Sequence, residues 1–215
     1  IYLESNAPNA NTSDWVPGAN GTGAGVFTGA GASLDNGKTF RRTDAYNNAN
    51  DNVFKSGLKA NDNPNNWGWG AQKANPTDDI NNGLLHLSTD KSQDLWVVMG
   101  VDRLSSEADS YLDFELLQHT LTANSNGTFT SAGQDGGRTV GDLLLTIKMS
   151  ARNSKPELFV QRWQATKEAF DWVSVVPTSD SGASVYTAAN GGSVSAPFGA
   201  FGGTAYTANT FAEAA

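Results

Sequence analysis

Residues 110–118 read SYLDFELLQ. In a strand successive side chains alternate faces, so Leu112, Phe114 and Leu116 point one way while Tyr111, Asp113, Glu115 and Leu117 point the other. Asp113 and Glu115 therefore share a face, with Cα atoms roughly 6.5 Å apart, close enough for each carboxyl to perturb the other's proton affinity. Such a pair suggests hydrolysis of a glycosidic bond by an acid and a nucleophile or base. The structural alternative is a polar outer face, or a pair bonded to Arg103 or Arg138.

Two further sets of residues have the right chemistry for a site. Asp78, Asp79 and Asn81 in TDDIN, Asp102 in GVDR and Asp109 in EADS place oxygen donors near strand ends, as do Asp135 and Asp142 in QDGGRTVGD. Calcium accepts carboxylates, amides and backbone carbonyls from flexible loops, so these residues are candidate ligands for a structural ion. No EF-hand loop occurs, and Asx-turns and strand-end caps use the same residue types without metal. In NNWGWG, Trp67 and Trp69 stand two apart, and their rings, with Tyr111, could stack on sugar. The alternative is that the tryptophans plug their loop onto the core. His86 and His119 are the two histidines, too few for a three-His metal site and without a nucleophile motif beside them.

The elements that must position these residues begin near residue 83. LLHLS at 84–88, LWVVMGVDR at 95–103, SYLDFELLQ at 110–118, DLLLTIKM at 142–149, ELFVQRW at 157–163 and DWVSVV at 171–176 read as strands separated by turn clusters. The 95–103 and 142–149 runs are apolar on both faces, as central strands of a two-layer sandwich are. No helical pattern separates the runs, which argues against a parallel α/β sheet. The expected fold is an all-β, antiparallel jelly-roll or lectin-like β-sandwich with long Gly- and Asn-rich loops and little helix. Residues 1–24 read as an extended N-terminal segment, and 25–215 as a single sandwich domain. Residues up to about 75 are turn-rich, but Trp15, Phe27, Phe40, Tyr46, Phe54, Trp67 and Trp69 predict an ordered layer pinned to the core by aromatics. TANTFAEAA at the end predicts the start of a helix, with Thr210 as N-cap and Glu213 three residues later. A helix that short rarely ends a domain, so the domain is expected to continue beyond residue 215 in a parent chain, where an open sheet edge could take a strand from a neighbouring subunit.

The balance of 14 basic against 22 acidic residues, a net charge of −8, disfavours nucleic acid and anionic membranes as partners. With no cysteine there is no disulfide, thiolate metal site or cysteine nucleophile. No apolar run reaches the roughly 18 residues of a membrane helix, so direct membrane insertion is not expected.

NDNPNNWGWG, TDDINNGLLHL, LWVVMGVDR, SYLDFELLQ and GGRTVGDLLLTIKM occur in that order. Together, over residues 25 to 215, they resemble a jelly-roll-like domain of large secreted and cell-surface proteins of Gram-negative, Bacteroidetes-type bacteria. The resemblance implies an extracellular or cell-surface location, export by the type IX system, and neighbouring adhesion repeats, with no catalytic residues to carry over. SYLDFE is also similar to the E-x-D-x-E strand of laminarinase- and lichenase-type glycosidases, which implies Glu115 as acid/base and Asp113 as helper; Tyr111 then stands where the nucleophilic carboxylate belongs. The expected function is a non-catalytic β-sandwich module serving adhesion, matrix or filament structure, stabilised by calcium. Its expected partners are other subunits or domains of a surface assembly, and polysaccharide. The alternatives are a carbohydrate-binding module and a glycoside hydrolase using Asp113 and Glu115.

Overall fold

A computed structural model describes residues 13–16, 24–47, 49–55, 60–152, 155–164, 169–172 and 185–215. Its strands are β1 (Ser13–Asp14), β2 (Ala24–Gly25), β3 (Thr39–Thr43), β4 (Asp51–Lys55), β5 (Gly68–Gln72), β6 (Asn82–Thr89), β7 (Leu95–Asp102), β8 (Ser110–Leu116), β9 (Leu121–Ala123), β10 (Phe129–Ser131), β11 (Leu143–Met149), β12 (Glu157–Gln164), β13 (Ala169–Trp172), β14 (Thr187–Ala189), β15 (Val194–Ala200), β16 (Gly203–Tyr206) and β17 (Phe211–Ala214). A five-stranded antiparallel sheet, in the order β14-β17-β7-β6-β3, and a four-stranded one, β13-β12-β11-β8, form the body. Hairpins β4-β5, β9-β10 and β15-β16 and the short parallel pair β1-β2 surround them. The one helical turn among the described residues is a 3-10 turn at Pro64–Asn66, and none of their helices is long and apolar enough to cross a membrane. The fold is therefore an all-β sandwich, as the strand pattern predicts.

Period-two alternation builds the core. Met99 and Val101 of β7, with Ala212 and Ala214 of β17 and Ala189 of β14, face Leu112 of β8 and Leu145, Ile147 and Met149 of β11 across the interior. β7 and β11 are the central strands, each paired on both sides. The five-stranded sheet is apolar on its outer face too, where Leu84 and Val98 pack with Trp15 and Phe27. Gly100 makes room for that layer: a Cβ there would lie 3.2 Å from the Trp15 ring and 3.1 Å from Phe211. Because Ile147 is fully buried, with packed neighbours on both sheets, Ile147→Val should cost about 1 kcal/mol in denaturant unfolding with an unchanged slope, for the loss of one methyl group.

The predicted C-terminal helix is a strand. β17 pairs antiparallel with β7 from Phe211↔Asp102 to Ala214↔Met99, and on its other side with β14. Ala and Glu favour helix locally, but FAEA also alternates. Ala212 and Ala214 are completely buried between the sheets, and Glu213 points outward to accept a hydrogen bond from Trp15 Nε1. Tertiary burial decides the conformation. Thr210, the predicted N-cap, instead donates its hydroxyl to the Thr207 carbonyl. The predicted 171–176 strand is present as β13 up to Trp172, and 173–176 lie outside the described residues.

The turn-rich first third contains β3, β4 and β5, and its aromatics divide. Trp15, Phe27 and Trp67 are buried as expected, whereas Phe40, Tyr46 and Phe54 remain exposed. At one end of the sandwich the buried Arg103 donates to five oxygens, the carbonyls of Asn209, Ala108, Met149 and Ser150 and the Ser110 hydroxyl, and so joins the ends of β7, β8, β11 and β17.

Candidate functional site

The outer face of the four-stranded sheet carries the carboxylate pair. Register places Tyr111 beside Lys148, Asp113 beside Thr146 and Glu115 beside Leu144 on β11, and these face Glu157, Phe159 and Gln161 on β12. Asp113 and Glu115 thus share a face, as alternation requires.

Each carboxylate already has a protein partner. Arg138 grips Glu115 through both oxygens, Nη2 to Oε1 at 3.0 Å and Nε to Oε2 at 3.1 Å, while its Nη1 donates to the Asp62 carbonyl at 2.7 Å. The guanidinium is fully buried between two rings, 4.9 Å from the Trp163 centroid and 5.3 Å from that of Trp67. This two-pronged, doubly stacked geometry suits the planar charge of arginine and would not suit lysine. Trp163 is itself fixed, its Nε1 donating to Asp135 Oδ2 at 2.7 Å. The loop that delivers Arg138 turns at Gly136 and Gly137, both with positive φ, and a Cβ on Gly137 would meet Asn63 Oδ1 at 2.4 Å. Asp113 accepts a hydrogen bond from Thr146 Oγ1.

Burial raises the Glu115 pKa more than the Arg138 contacts lower it, and burial likewise raises that of Asp113 against the Thr146 bond. Retaining hydrolysis requires two carboxyl groups free to face the sugar, roughly 5 to 5.5 Å apart. Here Glu115 is committed to Arg138, and Asp142 accepts from Thr139 N, Gln118 N and Gln118 Nε2. Of the two arginines named as structural partners from the sequence, Arg138 binds Glu115 but not Asp113, and Arg103 binds backbone carbonyls and the Ser110 hydroxyl instead.

The aromatic candidates separate. Trp67 is buried edge-on against Phe54 and Phe129, behind Arg138, so its ring offers no open platform. Trp69 is half-buried in the β4-β5 hairpin opposite Phe54. Tyr111 is 60% exposed and stands on the open part of the face. His86 and His119 each share a hydrogen bond with a threonine, Thr39 and Thr139.

The seven acidic and amide candidates for a metal are mostly engaged with protein donors, Asp135 with Trp163 Nε1 and Asp142 with Thr139 and Gln118. Asp109 accepts from Ala151 N at 2.7 Å and Asp78 from Asn75 Nδ2 at 2.9 Å, both as loop caps. Asp102 is completely buried and saturated, accepting from Asn81 N, Asn82 N, Asn82 Nδ2 and the Tyr206 hydroxyl. Asn81 spends its side chain on the Asp44 carbonyl and the Phe201 amide. Among the described residues no group of three or more His, Cys, Asp or Glu side chains has a metal-holding arrangement.

Asp79 differs from the other candidates. It is buried, and desolvation together with the nearby charges of Asp51 and Asp44 pushes its pKa up to about 6. Asp51, the first residue of β4, was not visible as a candidate in the sequence. Its signal lies in DNVFK, where the polar Asp51 is the buried residue while the apolar Phe54 is exposed, an inversion of the usual strand pattern.

No protein-family model, no curated protein and no solved structure matches the chain.

Proposed function

We propose that the chain is a non-catalytic β-sandwich module of a bacterial extracellular or cell-surface protein, serving adhesion or the structure of a matrix or filament. The observation that carries the non-catalytic half is the fate of Glu115: both of its oxygens are held by a buried arginine clamped between two tryptophans. A general acid must instead be free to meet a leaving-group oxygen. The low charge density, the absence of cysteine and the loops carried on a rigid β scaffold fit a module that works by presenting surface.

A second reading, a carbohydrate-binding module, is favoured by one observation. Tyr111 is exposed beside Asp113, Thr146 and Lys148 on a sheet face that leaves it open to solvent, and an exposed ring flanked by polar groups suits a sugar.

Both halves are tested together. The recombinant chain is expected to release no reducing sugar from a panel of β-glucans, and antibodies raised against it are expected to label intact cells or the culture medium. Hydrolysis that disappears in Glu115→Gln would overturn the non-catalytic reading, and labelling confined to permeabilised cells would overturn the location. Retardation of the chain in a polysaccharide-containing gel, lost in Tyr111→Ala, would favour the second reading.

A further inference from the structure

We infer that Asn126 is a self-modifying site: its side-chain amide is lost through attack by the Gly127 backbone nitrogen, leaving aspartate or isoaspartate at the tip of the β9-β10 hairpin. Asn-Gly steps occur at Asn20, Asn36, Asn82, Asn126 and Asn190, and Asn20 lies outside the described residues. The other four have different surroundings. Asn82 and Asn190 are buried and their amide nitrogens are held, Asn82 Nδ2 by Asn81 Oδ1, Asp102 Oδ2 and the Gly199 carbonyl, and Asn190 Nδ2 by the Gly192 and Thr207 carbonyls. Asn36 and Asn126 are exposed in turns.

At Asn126 the side-chain Oδ1 accepts two hydrogen bonds, from Thr128 Oγ1 at 2.7 Å and from the Thr128 amide at 3.2 Å. These donors polarise the side-chain carbonyl and meet the negative charge that develops on Oδ1 as nitrogen adds to Cγ, the role that donors play in an oxyanion hole. Gly127 carries no Cβ to shield its nitrogen, and that nitrogen is tied to the Asn124 carbonyl at 3.0 Å, a turn bond whose opening frees it. The step then balances. Gly127 N gives its proton to solvent and bonds to Cγ, the Cγ–Nδ2 bond breaks and ammonia leaves, and water opens the resulting five-membered imide at one of its two carbonyls. At Asn36, by contrast, no described residue donates to the side chain, and the Gly37 nitrogen donates to the Asp35 carboxylate at 3.1 Å. That negative charge opposes the anionic nitrogen which the attack requires.

The position extends the change beyond one side chain. Gly127 has a φ of 83°, its carbonyl accepts from Trp69 N at 2.8 Å, and Thr128 bridges Gly68, so this turn is the seam between the β9-β10 and β4-β5 hairpins. Beside the seam Phe54 stacks on Phe129, with ring centroids 5.4 Å apart. Isoaspartate routes the main chain through the former side chain and inserts a methylene before Gly127, which moves Gly127 and Thr128 out of register with Trp69 and Gly68. Either product adds one negative charge to a chain already at −8.

The test is prolonged incubation of the full chain at mildly alkaline pH, in buffer and in urea, followed by peptide mapping with mass spectrometry. In buffer Asn126 should convert first and Asn36 more slowly, while Asn82 and Asn190 stay intact; in urea, where the donors to Oδ1 are lost, Asn126 and Asn36 should convert at comparable rates. Thr128→Val keeps the shape of the side chain, removes the hydroxyl donor and should slow conversion at Asn126 by about 2- to 10-fold, the contribution of one hydrogen bond. The isoaspartyl form, separated by ion exchange, should melt about 2 to 4 °C below the parent through loss of the hairpin seam. An intact Asn126, conversion led by Asn36, or an unslowed Thr128→Val would overturn the proposal, and an unchanged melting temperature would overturn its reach to β4-β5. If Thr128→Val fails to fold, the order of conversion in buffer against that in urea decides the matter.

Discussion

Arg138→Met should destabilise the chain by about 3 to 5 kcal/mol, the range expected when one partner of a buried ion pair is removed and the other charge is left uncompensated. Met roughly fills the space of the arginine stem between Trp67 and Trp163, so the loss reports mainly on charge and hydrogen bonding and less on a cavity. Three consequences combine: Glu115 loses both of its bonds from Arg138, the Asp62 carbonyl loses its donor, and the rings lose a stacked cation. Glu115→Gln should cost less, because a neutral amide can still accept from the guanidinium. The double variant Arg138→Met/Glu115→Gln should recover part of the single-variant loss, since it removes the stranded charge, and strict additivity in that cycle would disprove the coupling. The pH dependence has a definite sign. Burial already holds the folded-state Glu115 pKa above its ordinary value, and without Arg138 it must rise further. A carboxyl whose pKa is higher in the folded state favours folding as pH falls toward its unfolded pKa, so the penalty of Arg138→Met should shrink from pH 7.5 to pH 4.5. A pH-independent penalty would mean that the damage is packing alone.

Parts of this arrangement were legible in the residues and parts were not, for identifiable reasons. The strands that build the core carry their own period-two signal: LWVVMGVD and LLLTIKM are apolar on both faces because β7 and β11 are central and β7 is covered on both sides. β3, β4 and β5 were hidden because TFRRT, DNVFK and GWGAQ are edge or satellite strands with exposed faces, where little burial shapes the sequence. FAEAA was misread because alanine is a helix former in isolation and a core residue only when two sheets close on it. At the site, alternation placed Asp113 and Glu115 on one face, and it named Arg138 among two possible partners. What selected Arg138 was a loop turning at two glycines some twenty residues away, a long-range arrangement that local pattern does not encode.

Asp102→Ala should be the most damaging single substitution among the acidic residues, at roughly 4 kcal/mol or more. The carboxylate is completely buried at the end of β7 and terminates four donors: the amides of Asn81 and Asn82 at 2.7 Å, Asn82 Nδ2 at 2.8 Å and the Tyr206 hydroxyl at 3.1 Å. Each buried donor left without an acceptor costs about 1 to 3 kcal/mol, and backbone amides cannot turn away to find another. Asp102→Asn should cost about half as much, because its remaining oxygen can still serve the two amides while its NH2 opposes Asn82 Nδ2 and the hydroxyl can rotate to accept. Tyr206→Phe, which removes a single bond, should cost about 1 kcal/mol.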